Sequence, residues 1–80
     1  MKKFGQLSNK IYKIMDKKQL GAILSDIRTR KNISLYKIAK GGEISITQAH
    51  SIEDGDRNYT IDALLAYLRG IEADLTIEEK

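Results

Sequence analysis

Between Lys17 and Lys31 the apolar residues Leu20, Ile23, Leu24 and Ile27 recur at steps of three and four, the stripe of a helix with one buried side. Asp16, with Gln19 at capping-box spacing, marks its start, and Asn32 suits a left-handed stop at its end. Ile33 would then drop into the core. The next stretch, Ser34 to Gly55, reads SLYKIAKGGEISITQAHSIEDG and holds two short helices, each opened by a serine whose hydroxyl can accept from unpaired amides of the first turn. Ser45 has Gln48 three residues on, a capping box. Gly41-Gly42 predicts a sharp turn between the two helices. Leu35, Ile38 and Ala39 form the apolar side of the first helix, Ala49 and Ile52 that of the second, with Ile44 in the turn. Ile46, Thr47, His50 and Ser51 are left on the outward side of the second helix. Hydroxyls and one bulky aliphatic at a helix N-terminal end suit a major groove.

The polar loop Asp56-Arg57-Asn58-Tyr59 leads to Thr60, the cap of a last helix with Ile61, Leu64, Leu65 and Leu68 as its buried side and a stop near Gly70 or Ile71. The period then changes. Ile71, Ala73, Leu75 and Ile77 alternate with Glu72, Asp74, Thr76 and Glu78, which predicts a strand with one apolar face. A lone strand needs a partner for its edge, and the simplest is its own copy in an isologous dimer. The alternative is a short final helix. At the other end, Ile11, Tyr12, Ile14 and Met15 behind Ser8 fit either a short amphipathic helix packed on the bundle or an extended basic arm that tracks phosphates.

Ile38-Ala39, Ile44-Ser45, Ala49, Ile52-Glu53 and Gly55 fall in register, without a gap, with the helix-turn-helix of Cro/repressor-type (XRE-like) DNA-binding proteins, which the chain resembles. The likeness extends to Leu20 and Arg28 upstream and Leu64 downstream. The C-terminal tail looks most like that of HipB-type antitoxin repressors, whose last segment pairs across a dimer. The resemblance implies an all-α, lambda-repressor-like helix-turn-helix bundle with a short C-terminal β-strand for dimerisation. Residues 1–15 would be a basic arm or short helix, 16–70 the helix-turn-helix domain, and 71–80 the dimerisation strand and tail. Two departures bear on the turn. The family has glycine where this chain has Glu43 and an apolar residue where it has Gly42. Either Glu43 takes the positive φ, or Gly42 does and the loop shifts by one residue.

The same resemblance assigns roles. Ile46, Thr47, Ser51, Gln48 and His50 would face base edges. Ser34, Lys37, Arg57, Asn58, Lys17 and Lys18 would face phosphates. Arg28 would pair with Glu53, each satisfying a charge that would be costly alone between apolar stripes. Ile71, Ala73, Leu75 and Ile77 would form the dimer interface.

Charge adds to this picture. The net formal charge is +3, but through Lys31 nine basic residues stand against two acidic ones, and from Asn32 onward five stand against nine. A chain divided this way suits a polyanion on one face and something else on another. With no cysteine and a single histidine, no metal site, cofactor or catalytic residue is expected. Ser51, His50 and Glu53 are sequence neighbours that a helix points in different directions, so they make no triad. No apolar run approaches a membrane span, and a cytoplasmic location is expected. The function these readings favour is sequence-specific duplex DNA binding by a homodimeric repressor. Its rivals are an antitoxin that also binds a toxin protein, and a helix-turn-helix scaffold used only for protein contacts.

Overall fold

In a computed structural model describing residues 10–80, helix α1 runs over Lys17–Arg30, α2 over Leu35–Gly42, α3 over Ile46–Asp54 and α4 over Ile61–Gly70. Each start is fixed by the side chain expected to fix it. Asp16 accepts from the Gln19 amide at 2.8 Å, Ser34 from Lys37 at 3.0 Å, Ser45 from Gln48 at 3.0 Å and Thr60 from Ala63 at 3.0 Å. Gln48 returns the bond to the Ser45 amide and completes its capping box, whereas Gln19 reaches back one residue further, to Met15.

The helix ends share one device that the sequence shows only at Asn32. Asn32, Glu43 and Glu72 all adopt left-handed backbone, with φ of 59°, 61° and 59°. The amide after each one reaches back five residues: Ile33 to Arg28, Ile44 to Ala39 and Ala73 to Leu68. This closes α1, α2 and α4 in the same way and turns an apolar residue inward each time. At α2 the consequence is a correction. The helix runs on through Gly41 and Gly42 instead of turning there, and Glu43 carries the turn. Gly42 is small for a packing reason: a Cβ on it would lie 3.1 Å from that of Ala66 on α4.

Packing runs α1 on α3, α2 on both α3 and α4, and α3 on α4. Leu24, Ile38, Ala49, Ile52, Ala63, Leu64, Tyr67, Leu68 and Ile71 make one continuous core, with Leu20, Ile27, Ile33 and Ile44 half-buried around it. The buried side of α4 is rotated from expectation. Ile61 is 58% exposed, while Tyr67 and Ile71 are fully buried. Two close backbone approaches set how α3 lies on α1. A Cβ on Gly21 would fall 2.2 Å from the Glu53 carbonyl oxygen, and one on Gly55 2.7 Å from that of Lys17. Gly55 also closes α3 at φ +70°, a conformation glycine reaches at little cost.

The strand expected over Ile71–Ile77 is not formed among the described residues. A single copy offers its edge no partner, and Glu72 in left-handed backbone interrupts the extended path at its second residue. Ile71 closes α4 and belongs to its own core, so it is not free to face a partner. Lys10–Met15 run without helix, and the part of the N-terminal reading on residues 1–9 lies outside the described residues. No helix among the described residues is long and apolar enough to cross a membrane.

Opposite effects are expected from one substitution at two glycines. Gly21→Ala forces α1 off α3 and should cost roughly 3 kcal/mol, whereas Gly41→Ala, with nothing within 4 Å of the added carbon, should stabilise by about 0.5–1 kcal/mol. Urea unfolding of the two variants measures both.

Candidate nucleic-acid interface

The outward side of α3 is defined by what its inner side buries. Ala49 and Ile52 are fully enclosed, which leaves Ile46, Thr47 and His50 exposed and Ser51 half-exposed along the opposite stripe. With Asp54 and Arg57 these four line one shallow groove. Four of the five residues expected at base edges are thus brought together, beside one of the cations expected at phosphates. Gln48 stands apart: its side-chain carbonyl is committed to the capping box, and it borders a different depression with Glu43 and Asp62. Asp54 escaped the sequence reading. It lies three residues beyond Ser51 and four beyond His50, so extending the helical stripe by one turn would have found it.

The residues expected at phosphates divide. Ser34 and Lys37 sit exposed at the start of α2, where the helix dipole also favours an anion. Lys17 and Lys18 instead clamp the loop after α3. The Lys17 ammonium donates to the Arg57 carbonyl at 3.0 Å and the Asn58 side-chain oxygen at 3.1 Å, and lies 5.8 Å from the centre of the Tyr59 ring. Lys18 pairs with Asp56 at 2.6 Å. The hydrogen bond and charge of each partner raise the Lys18 ammonium above its usual range and hold the Asp56 carboxyl below its own. Both side chains are well exposed, so the pair contributes little stability. It does fix the loop that carries Arg57.

The back of α3 is held by a network. Arg28 on α1 donates to Glu53 through Nε at 2.5 Å and Nη2 at 3.2 Å, a two-pronged contact, and through Nη1 to the Ile33 carbonyl at 2.9 Å. The hydroxyl of Tyr67, itself fully buried on α4, donates to the same carboxylate. The side chains of Arg28 and Glu53 are 18% and 9% exposed. Burial alone would raise the Glu53 carboxyl, but hydrogen bonds from Arg28 and Tyr67 outweigh it and hold the group below its usual value. Tyr67 is pushed well up, first by burial and then by the carboxylate it serves. The pair was legible from sequence. Tyr67 was left out of the expected buried side of α4, although it falls on the same stripe as Leu64, Leu68 and Ile71 at steps of three and four.

With Glu53 committed to Arg28 and Tyr67, it takes no part with Ser51 and His50 as a triad. Among the described residues no three His, Cys, Asp or Glu side chains are grouped to hold a metal ion.

No family model matches this chain, and no curated protein sequence matches it. Solved structures do. A HipA-HipB-O2-O3 complex contains a chain that matches with a TM-score of 0.79 at 20% identity, over 86% of this chain and 97% of that one. The restriction-modification controller protein C.AhdI from Aeromonas hydrophila matches with 0.65 at 21% identity, over 71% and 86%. A variant of C.Esp1396I bound to its highest affinity operator site OM matches with 0.63 at 24%, over 71% and 75%. This chain has their helix-turn-helix fold. The groove of Ile46, Thr47, His50 and Ser51 lies on the outward face of α3, the second helix of that helix-turn-helix.

Glu53→Ala leaves Arg28 buried without its partner and should cost on the order of 3–5 kcal/mol; Tyr67→Phe, which keeps the ring, should cost about 1.5–3 kcal/mol. The pH dependence has a definite sign. Because Glu53 titrates lower folded than unfolded, its stabilisation is present above the ordinary carboxyl value of 4.5 and is lost as pH falls through the folded value. Thermal melts below pH 4.5 should fall more steeply for the natural protein than for Glu53→Gln.

Proposed function

We propose that this protein is a sequence-specific duplex DNA-binding regulator that acts as a homodimeric repressor. The observation that carries the proposal is the groove on α3, where a thymine-methyl-sized apolar side chain, Ile46, stands beside the hydroxyls of Thr47 and Ser51 with Arg57 at the rim. Arg57 with Ser34 and Lys37 supplies contacts to phosphate that set register without reading sequence. His50 and the free amide nitrogen of Gln48 are further donors to bases or backbone. Lys17, Lys18 and Asn58 act through the loop they hold. No catalytic step or cofactor enters this reading. The solved neighbours that are bound to an operator site or captured as a HipA-HipB complex support it by fold.

Dimerisation follows from the tail. Ala73 is half-buried, Leu75 is 51% exposed and Ile77 89% exposed, a graded apolar edge running out from the core and alternating with acidic residues. Pairing of two such tails across a two-fold axis would satisfy both edges and hold two α3 helices about one DNA turn apart, roughly 34–36 Å. The HipA-HipB neighbour favours a second role, as an antitoxin that binds a toxin protein as well as its operator. A toxin would then compete with, or add to, operator binding.

Replacing Thr47 or Ser51 by alanine should cost about 1–3 kcal/mol on the preferred duplex and little on random duplex. Equal losses on both would reduce these hydroxyls to backbone contacts, and no salt-dependent duplex binding at all would leave the fold as a protein-binding scaffold. Truncation after Gly70 should give a folded monomer that protects one half-site weakly, measured by sedimentation and footprinting. Protection of a full palindrome by the truncated chain would overturn the role given to the tail.

A further inference from the structure

Two segments outside the helix-turn-helix carry apolar side chains left exposed among the described residues. In the arm before α1, Ile11 is 94% and Met15 75% exposed. In the tail after α4, Ile77 is 89% and Leu75 51% exposed. Lone exposed aliphatics are ordinary, but clusters at both ends of a small domain are not. Both segments are tied to α1. Gln19 holds the arm through the Met15 amide at 2.7 Å and the Lys13 carbonyl at 3.2 Å, and Arg30 donates to the Tyr12 hydroxyl at 3.2 Å. Lys31, the next residue, donates to the Ile71 carbonyl at 2.7 Å, where the tail leaves α4. Arg30 and Lys31, adjacent at the C-terminal end of α1, thus each hold one of the two segments.

Their charges are opposite. The arm interleaves Lys10 and Lys13 with its apolar residues; the tail interleaves Asp74, Glu78 and Glu79 with its own. Within one copy they do not cover each other, as the exposure of Ile11 and Ile77 shows. Resting on the homodimer proposed above, we infer that Lys10–Met15 is a protein interface and not a phosphate-tracking arm: it lies against the acidic, apolar tail of a second copy, closing over Leu75 and Ile77 and pairing lysine with carboxylate. Opposite charge across the contact favours seating each arm on a tail over arm-to-arm contact, while the two tails stay paired with each other.

Charge exchange tests this directly, on surface positions whose change leaves the core intact. One variant carries Lys10→Glu and Lys13→Glu, the other Glu78→Lys and Glu79→Lys, in the full chain, with folding confirmed by circular dichroism. Each alone should dimerise about 10-fold more weakly than the natural protein. A chain carrying all four exchanges should recover the natural dimer strength, because arm and tail are again of opposite sign, whereas contact between tails alone would leave it no different from the tail variant. Sedimentation equilibrium reads the dimer strengths. An arm variant that dimerises as the natural protein does, or a four-exchange chain no stronger than either variant alone, would overturn the arm-to-tail contact. If the natural chain is a dimer and the chain cut after Gly70 a monomer, the tail's own role survives that failure. A natural chain that is monomeric at every concentration would overturn both.

Discussion

The carboxylate of Glu53 is the point on which the rest of this structure depends. It takes two bonds from Arg28 on α1 and one from Tyr67 on α4, while Arg28 also holds the Ile33 carbonyl between α1 and α2. A carboxylate with so little exposure would be costly without these donors, and each donor would be costly without it. Mutual need makes the geometry hard to vary. Glu53 is on α3, so the network fixes that helix from behind, at the end away from its capped N-terminus. Gly21 adds a backbone contact on the same side, with no room for a methyl between α1 and the Glu53 carbonyl. Held this way, α3 presents Ile46, Thr47 and Ser51 from a fixed backbone, the rigidity that the proposed reading of sequence needs.

Much of this was legible in the chain. The four caps were visible because their chemistry is local: a hydroxyl or carboxylate needs only the amide three residues on. The Arg28–Glu53 pair was legible through the resemblance, and the α3 stripe through period alone. What escaped needed information from other helices. Gly42 stays helical against Ala66 of α4, where an added Cβ would be tight at 3.1 Å, and that contact lies outside any window around the turn. Tyr67 lies on the α4 stripe, but that Glu53 is there to receive its hydroxyl is a fact no window around Tyr67 contains. The tail's alternation was real as a pattern, yet its first member, Ile71, is drawn into the core and closes α4. The phosphate lysines were half-read: Lys17 and Lys18 lie near the interface but spend their donors on its loop.

The division of charge between the two halves of the chain also finds a use. Basic residues of α1 hold the acidic loop after α3 and the end of α4, so part of the charge asymmetry is internal pairing. Lys37 at the start of α2, Arg57 at the rim of the groove, and the charges of the arm and tail remain exposed.

Selection of bound duplexes from a random pool tests the central claim most directly, because it asks whether the α3 groove reads sequence at all. The account predicts enrichment of a two-fold-related pair of half-sites about one helical turn apart, with enrichment lost when Thr47 and Ser51 are both replaced by alanine. A pool that emerges unenriched, although the protein is folded and retains duplexes in a salt-dependent way, would contradict it.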